Sequence, residues 1–206
     1  MHLARCLAVM LISLLGTVLS TASFGQVIHW PLDTFETLTG QEFTPQQIRS
    51  QAATVVLFLD PDCPVTQKYG ATIRKLREEW GSKGVNMLAV YPVVNIDSST
   101  IADFAQAYRY NFSHIPDPQQ QLAKQLQART TPEAFLLDSL EQVRYRGAID
   151  NWFYELGRYR RIVTEHYLKD ALTAYLQGEP ILVAKTEAVG CIIGTSMVEE
   201  LHHGHH

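Results

Sequence analysis

The sequence has no excess of positive charge. Asp and Glu total 21 against 17 for Lys and Arg in 206 residues, a formal net charge of −4. Nothing in that balance would neutralise a phosphate backbone, so no nucleic acid is expected as a partner. There is no internal repeat, and no low-complexity block before the histidine-rich end. The N-terminal apolar run, Leu7 to Leu19, is shorter than the roughly 20 residues that a spanning helix needs. Cysteine is scarce as well, with Cys6, Cys63 and Cys191 the full complement.

What is present is an ordinary globular composition, 46% hydrophobic and 18% charged, in a chain long enough for one domain with a full core. Arg5, the apolar run and the small residues Ser20-Thr21-Ala22-Ser23 read as a secretory signal peptide cut between Ala22 and Gln26. The expected organisation is a leader over 1–25, a domain over 26–185 and a tail over 186–206. Export to a secreted or periplasmic location follows, with no stable membrane span after cleavage. Removal of the leader takes Cys6 with it, and two thiols in an exported chain invite a disulfide.

Cys63 ends the apolar run Thr54-Val55-Val56-Leu57-Phe58-Leu59 and opens Asp60-Pro61-Asp62-Cys63-Pro64-Val65-Thr66. Val55 to Leu59 predicts a buried strand. Gln67 to Trp80, with Tyr69, Ile73, Leu76 and Trp80 at helical spacing, predicts a helix that Pro64 can start. Cys63 then sits at a helix N-terminus, where unpaired N–H groups and the helix dipole favour a thiolate. Further along, Thr39-Gly40 predicts a turn and Thr44-Pro45 a helix start. Val85 to Tyr91 predicts a strand, Ser98 to Tyr108 a helix, and Pro118 to Leu126 another. Ala134 to Leu137 and Gln142 to Tyr145 form a predicted hairpin, followed by a helix over Thr164 to Leu176.

This order, with Asp62-Cys63-Pro64-Val65-Thr66 after the first core strand and Thr131-Pro132-Glu133-Ala134-Phe135 before the hairpin, resembles the thioredoxin superfamily. More narrowly, Phe58 to Tyr69, Thr131 to Asp138, Arg144 to Asp150 and Thr186 to Cys191 resemble exported redoxins of the alkyl-hydroperoxide-reductase and thiol-specific-antioxidant type. The resemblance implies an α/β fold, a thioredoxin-like three-layer sandwich with a central mixed sheet flanked by helices. It implies a cis bond between Thr131 and Pro132 beside Cys63, and a substrate groove shaped by Pro64, Thr131 and Pro132. The partners it implies are protein thiols or disulfides, or a peroxide, with no cofactor required.

Two departures bear on mechanism. Disulfide oxidoreductases of the superfamily carry a second cysteine where this chain has Thr66, and that thiol releases the mixed disulfide. Peroxiredoxins carry a threonine where this chain has Asp60, whose charge would oppose a thiolate. Cys191, after the glycine of Ala188-Val189-Gly190, is the remaining thiol. It can resolve Cys63 if the tail folds back, with Thr66 hydrogen-bonded to the sulfur. Three uses of the two sulfurs stay open: redox exchange, a stapling disulfide, and coordination of copper(I), which thiolates favour.

His202, His203, His205 and His206 form a terminal cluster able to bind copper, nickel or zinc. With Cys63 and Cys191 they make up the candidate metal set of a copper-handling or redox-sensing module. His114 stands alone and reads as a packed or surface residue. Arg144 to Tyr154, with Arg158, Arg160 and Arg161 beyond, is dense in arginine and aromatics. Its expected role is packing of Trp152, Phe153 and Tyr154 on the core under solvated arginines, with a partner surface as the alternative.

Overall fold

The computed structural model describes Ile28, Trp30 and residues 33–194. The leader and the histidine cluster lie outside these residues. At the centre is a five-stranded sheet of order β5-β4-β3-β7-β8, built from β3 (Ala53–Phe58), β4 (Val85–Tyr91), β5 (Ser113–Pro116), β7 (Glu133–Asp138) and β8 (Val143–Gly147). β3 pairs in parallel with β4 and antiparallel with β7, so the sheet is mixed.

Alternation along the strands sends side chains to two separate cores. Val55, Leu57, Met87, Ala89 and Leu136 pack under α2 (Pro64–Trp80), α3 (Ser98–Tyr108) and α5 (Tyr167–Leu176). Val56, Phe58, Leu88, Val90 and Phe135 pack on the opposite face against α1 (Pro45–Arg49) and α4 (Gln121–Leu126). An N-terminal hairpin, β1 (Phe35–Glu36) and β2 (Glu42–Phe43), closes that second layer. The result is the expected thioredoxin-like three-layer sandwich. No helix among the described residues is long and apolar enough to cross a membrane.

The predicted strands, helices and hairpin are present, with differences at their edges. The helix placed at Pro118 begins at Gln121, and that placed at Thr164 begins at Tyr167. The predicted order omits β5, a short edge strand that Pro116 ends without breaking any inner ladder. It also omits a small hairpin, β9 (Phe153–Glu155) with β10 (Arg158–Tyr159), and a pairing of β6 (Thr130–Thr131) with β11 (Cys191–Ile192). β6 and β11 are two residues long and 60 residues apart in register, too short and too distant for any local pattern to show.

Candidate active site

Strand register builds the site. Phe58 lies opposite Glu133, so the segment leaving β3 toward Cys63 and the Thr131–Pro132 step entering β7 meet at one end of the sheet. The Thr131–Pro132 bond is cis. Cys63 is the N-cap of α2, with Pro64 in the first turn, where its missing N–H leaves nothing unpaired. The Cys63 backbone N–H donates to the Asp60 carbonyl at 3.1 Å, closing the turn between strand and helix.

The Cys63 side chain is buried, 1% exposed. Its thiol donates to the Thr131 carbonyl at 3.1 Å. Burial works against ionisation of this sulfur, but the hydrogen bonds converging on it outweigh that cost. The Cys191 thiol, the Thr66 and Cys191 backbone N–H groups and the Thr66 hydroxyl together hold Cys63 below the ordinary thiol range. The Thr66 hydroxyl is buried and has no hydrogen-bond partner while Cys63 keeps its proton. Ionisation of Cys63 would supply the acceptor it lacks.

The tail brings Cys191 to this point. Its path begins at the edge of β8, where Arg146 N–H donates to the Ala184 carbonyl and Thr186 N–H to the Arg146 carbonyl, both at 3.0 Å. Thr186 Oγ1 then meets the Tyr145 hydroxyl at 2.6 Å and accepts from Ala148 N–H at 2.9 Å. Beyond it, β11 runs antiparallel to β6 with Cys191 opposite Thr131. Ile193 N–H donates to the Arg129 carbonyl at 2.9 Å, and the Gln120 amide donates to the Gly194 carbonyl.

Gly190 is what allows the approach. A Cβ at this position would collide with the Thr131 carbonyl oxygen and stand 2.7 Å from its carbon and 3.2 Å from Pro132 N. Both cysteines therefore converge on one residue, Thr131, Cys63 through its thiol and Cys191 through strand register, and both are free thiols. The Cys191 thiol is pushed up to about 12 by burial, by its hydrogen bond to Cys63 and by the charges of Cys63 and Asp60. Asp60 itself is held above the usual carboxylate range. Burial is the main cause and the neighbouring charge of Asp62 adds to it, against a hydrogen bond from Asp62 N–H. That shift moderates the repulsion expected between Asp60 and the thiolate.

Cys63, Pro64, Thr66, Thr131, Pro132 and Cys191 are thus gathered in one place. Sequence reasoning missed Gln120 and Arg129, which anchor the end of the tail and carry no sequence signal for it. His114 is not part of this group: it is buried on β5, with Nδ1 2.8 Å from the Tyr91 hydroxyl. Among the described residues no three of His, Cys, Asp or Glu gather to hold a metal ion.

A cysteine at the start of α2, opposed by a cis-proline loop on a mixed sheet, defines a thioredoxin-like redoxin. The chain belongs to the AhpC/TSA family, whose model matches residues 29–146. Cys191 and its strand lie beyond the matched region. Among solved structures, the chain is similar to an uncharacterized conserved protein from Geobacillus kaustophilus, at 23% identity and a TM-score of 0.75 over 84% of this chain and 93% of that one. It is similar to a hypothetical protein from Sinorhizobium meliloti 1021, at 22% identity and a TM-score of 0.73 over 84% and 96%. A putative thiol:disulfide interchange protein from Chlorobium tepidum follows at 14% identity and a TM-score of 0.56 over 75% and 99%. These likenesses establish the fold. No curated protein matches the chain.

Proposed function

We propose that the protein is an exported thiol-disulfide oxidoreductase in which Cys63 attacks and Cys191 resolves. The observation that carries this reading is the placement of Cys191 opposite Thr131, whose carbonyl accepts from the Cys63 thiol. The interchange activity named for the Chlorobium tepidum relative is in keeping with it. Export rests on the leader pattern of the first 25 residues.

In the first step the Cys63 thiolate attacks one sulfur of a substrate disulfide. A bond forms from Cys63 to that sulfur, and the other sulfur leaves as a thiolate that takes a proton from solvent. Cys191 then gives up its proton and attacks the Cys63 sulfur, forming the Cys63–Cys191 disulfide and releasing the second substrate thiol. The substrate disulfide has gained two electrons and the two cysteines have lost them. An external dithiol restores the pair.

Thr66 replaces the usual second cysteine with a hydroxyl that stabilises the thiolate without competing as a nucleophile. Because Cys63 is buried, a local opening must precede attack on a protein disulfide, and the two-residue pairing of β11 with β6 is the segment proposed to open. Copper(I) held between the two sulfurs is the competing reading.

Single-cysteine variants separate these readings. With a disulfide-bonded peptide as substrate, Cys191→Ser should accumulate a mixed disulfide at Cys63 that mass spectrometry detects, whereas the native protein should pass on to an internal Cys63–Cys191 bond. Unchanged turnover in Cys191→Ser would remove Cys191 from the mechanism. Stoichiometric copper(I) binding lost in Cys63→Ser, without disulfide exchange by the native protein, would favour metal handling.

A further inference from the structure

The segment Tyr154 to Ile162 has no assigned role. The expectation that Trp152, Phe153 and Tyr154 pack on the core holds for Phe153, which is buried, and in part for Trp152, which is half-buried, but fails for Tyr154, whose place on the short hairpin turns it outward. Tyr154 is 52% exposed, Leu156 62%, Tyr159 50% and Ile162 74%. Four large apolar side chains within nine residues face outward, Tyr154, Leu156 and Tyr159 on a two-stranded hairpin that stands apart from the main sheet and Ile162 just beyond it. The same surface is cationic. Arg158, Arg160 and Arg161 lie in the segment, and Lys68 reaches over the Tyr159 ring at 5.2 Å. Glu155, paired with Arg158 at 3.1 Å, is the one acidic residue within the segment. This concentration of positive charge occurs in a chain whose formal net charge is −4.

Its position ties the patch to the thiol. Tyr69 of α2 packs edge-on against Trp152 at 5.4 Å and touches Phe153 at 5.7 Å. Its hydroxyl donates to Asp150 at 2.6 Å, and the same carboxylate oxygen accepts from Trp152 N–H at 2.9 Å. Arg160 donates to the Asn151 carbonyl at 2.7 Å, closing the base of the hairpin. The hairpin is therefore fixed to the early turns of the helix that Cys63 caps. Lys68 lies five residues beyond Cys63, about 8 Å along the helix axis.

We infer that the β9–β10 hairpin is a docking surface for the redox partner of Cys63, and that the partner presents an acidic surface with an apolar centre. The inference rests on the thiol-exchange reading for its purpose but not for its test. Tyr and Arg are the side chains that anchor interfaces most strongly, and charge of one sign on such a patch selects partners of the other sign. A partner seated on Leu156, Tyr159 and Ile162 would bring its own cysteine to the end of α2 where Cys63 lies.

The test uses the full mature chain and a fluorescent, cysteine-free peptide of Glu, Asp and Leu residues, against a control with Lys for the acidic residues. Anisotropy should show the acidic peptide binding about tenfold more tightly at low ionic strength, with the difference lost near 0.5 M salt. The exposed double variant Arg158→Glu/Arg161→Glu should reverse the preference, and Leu156→Ser/Ile162→Ser should weaken binding of the acidic peptide. An unaltered melting temperature will confirm that each variant is folded. Equal binding of the two peptides, or a preference untouched by both variants, overturns the proposal. So does adsorption to anionic lipid vesicles in place of peptide binding, which would make the patch a membrane contact. A small neutral disulfide reports separately on Cys63: its failure to react would defeat the exchange reading and leave the peptide result standing.

Discussion

Cys63 is held between burial, which favours the thiol, and donors that favour the thiolate, and the donors prevail. The largest of these is the Cys191 thiol, whose own proton is retained because burial and the charge beside it oppose its loss. The pair therefore divides its roles before any substrate arrives, with Cys63 ionised first. Replacing Cys191 by Ala should move the midpoint of the Cys63 alkylation profile to higher pH. Thr66→Val should move it in the same direction without loss of stability, since it also removes a buried hydroxyl that lacks a partner in the thiol form. A midpoint unmoved in both variants would contradict the assigned donors. The linkage has opposite signs at the two thiols. A depressed Cys63 pKa adds stability that is fully present above its unfolded value and lost as pH falls through its folded one. The raised Cys191 pKa adds stability that is present below the ordinary thiol range and lost as pH climbs toward about 12. At this scale the sequence was readable in two ways: Cys63 and Pro64 stand out through a strand and a helix start, whereas Thr66, Thr131 and Pro132 were pointed to by the resemblance to the thioredoxin superfamily. The hydroxyl's missing partner and the fate of the Asp60 charge depend on burial, which residue types do not state.

At the scale of elements, the pairing that matters is β6 with β11. Gly190 and its small neighbours suited an extended tail able to fold back, but neither the fold-back nor its register was legible, because a two-residue ladder between distant segments leaves no periodicity. The structure makes Gly190 a steric requirement, since any side chain there meets the Thr131–Pro132 peptide. Gly190→Ala should therefore lift the strand while leaving the five-stranded sheet intact. Hydrogen exchange should show the Ile193 amide, which donates to Arg129, losing protection by roughly tenfold or more, or about 1.4 kcal/mol. Thr186, held at the other end by Tyr145 and Ala148, should keep its protection. Alkylation of Cys63 should become faster in the same variant, as the proposed opening of this strand requires. Unchanged protection at Ile193 would mean that the strand accommodates a Cβ by a small shift. β5 was missed for a different reason. Ser113 and His114 look like loop residues, and only the parallel register with Leu88 and Ala89 makes them strand.

For the whole molecule, the two thiols join the beginning of the central fold to its end. A bond between Cys63 and Cys191 would close a loop of about 130 residues, which in the chain-entropy account removes about 4–5 kcal/mol of freedom from the unfolded state, although measured bridges more often give about 2–4. For a domain of this size each kcal/mol moves the melting temperature by about 2–4 °C. The oxidised protein should accordingly melt about 5–15 °C above the reduced one. Scanning calorimetry on protein treated with a mild oxidant or with excess dithiol makes the comparison, and Cys191→Ser should show no difference between the two treatments. The same difference bears on catalysis. A bridge that stabilises the folded chain this much also resists reduction, so a turnover enzyme needs part of that gain offset by the cost of moving the tail. A shift at the upper end with a bridge that small thiols cannot reduce would identify a structural staple. A smaller shift, with ready reduction, is what exchange chemistry requires.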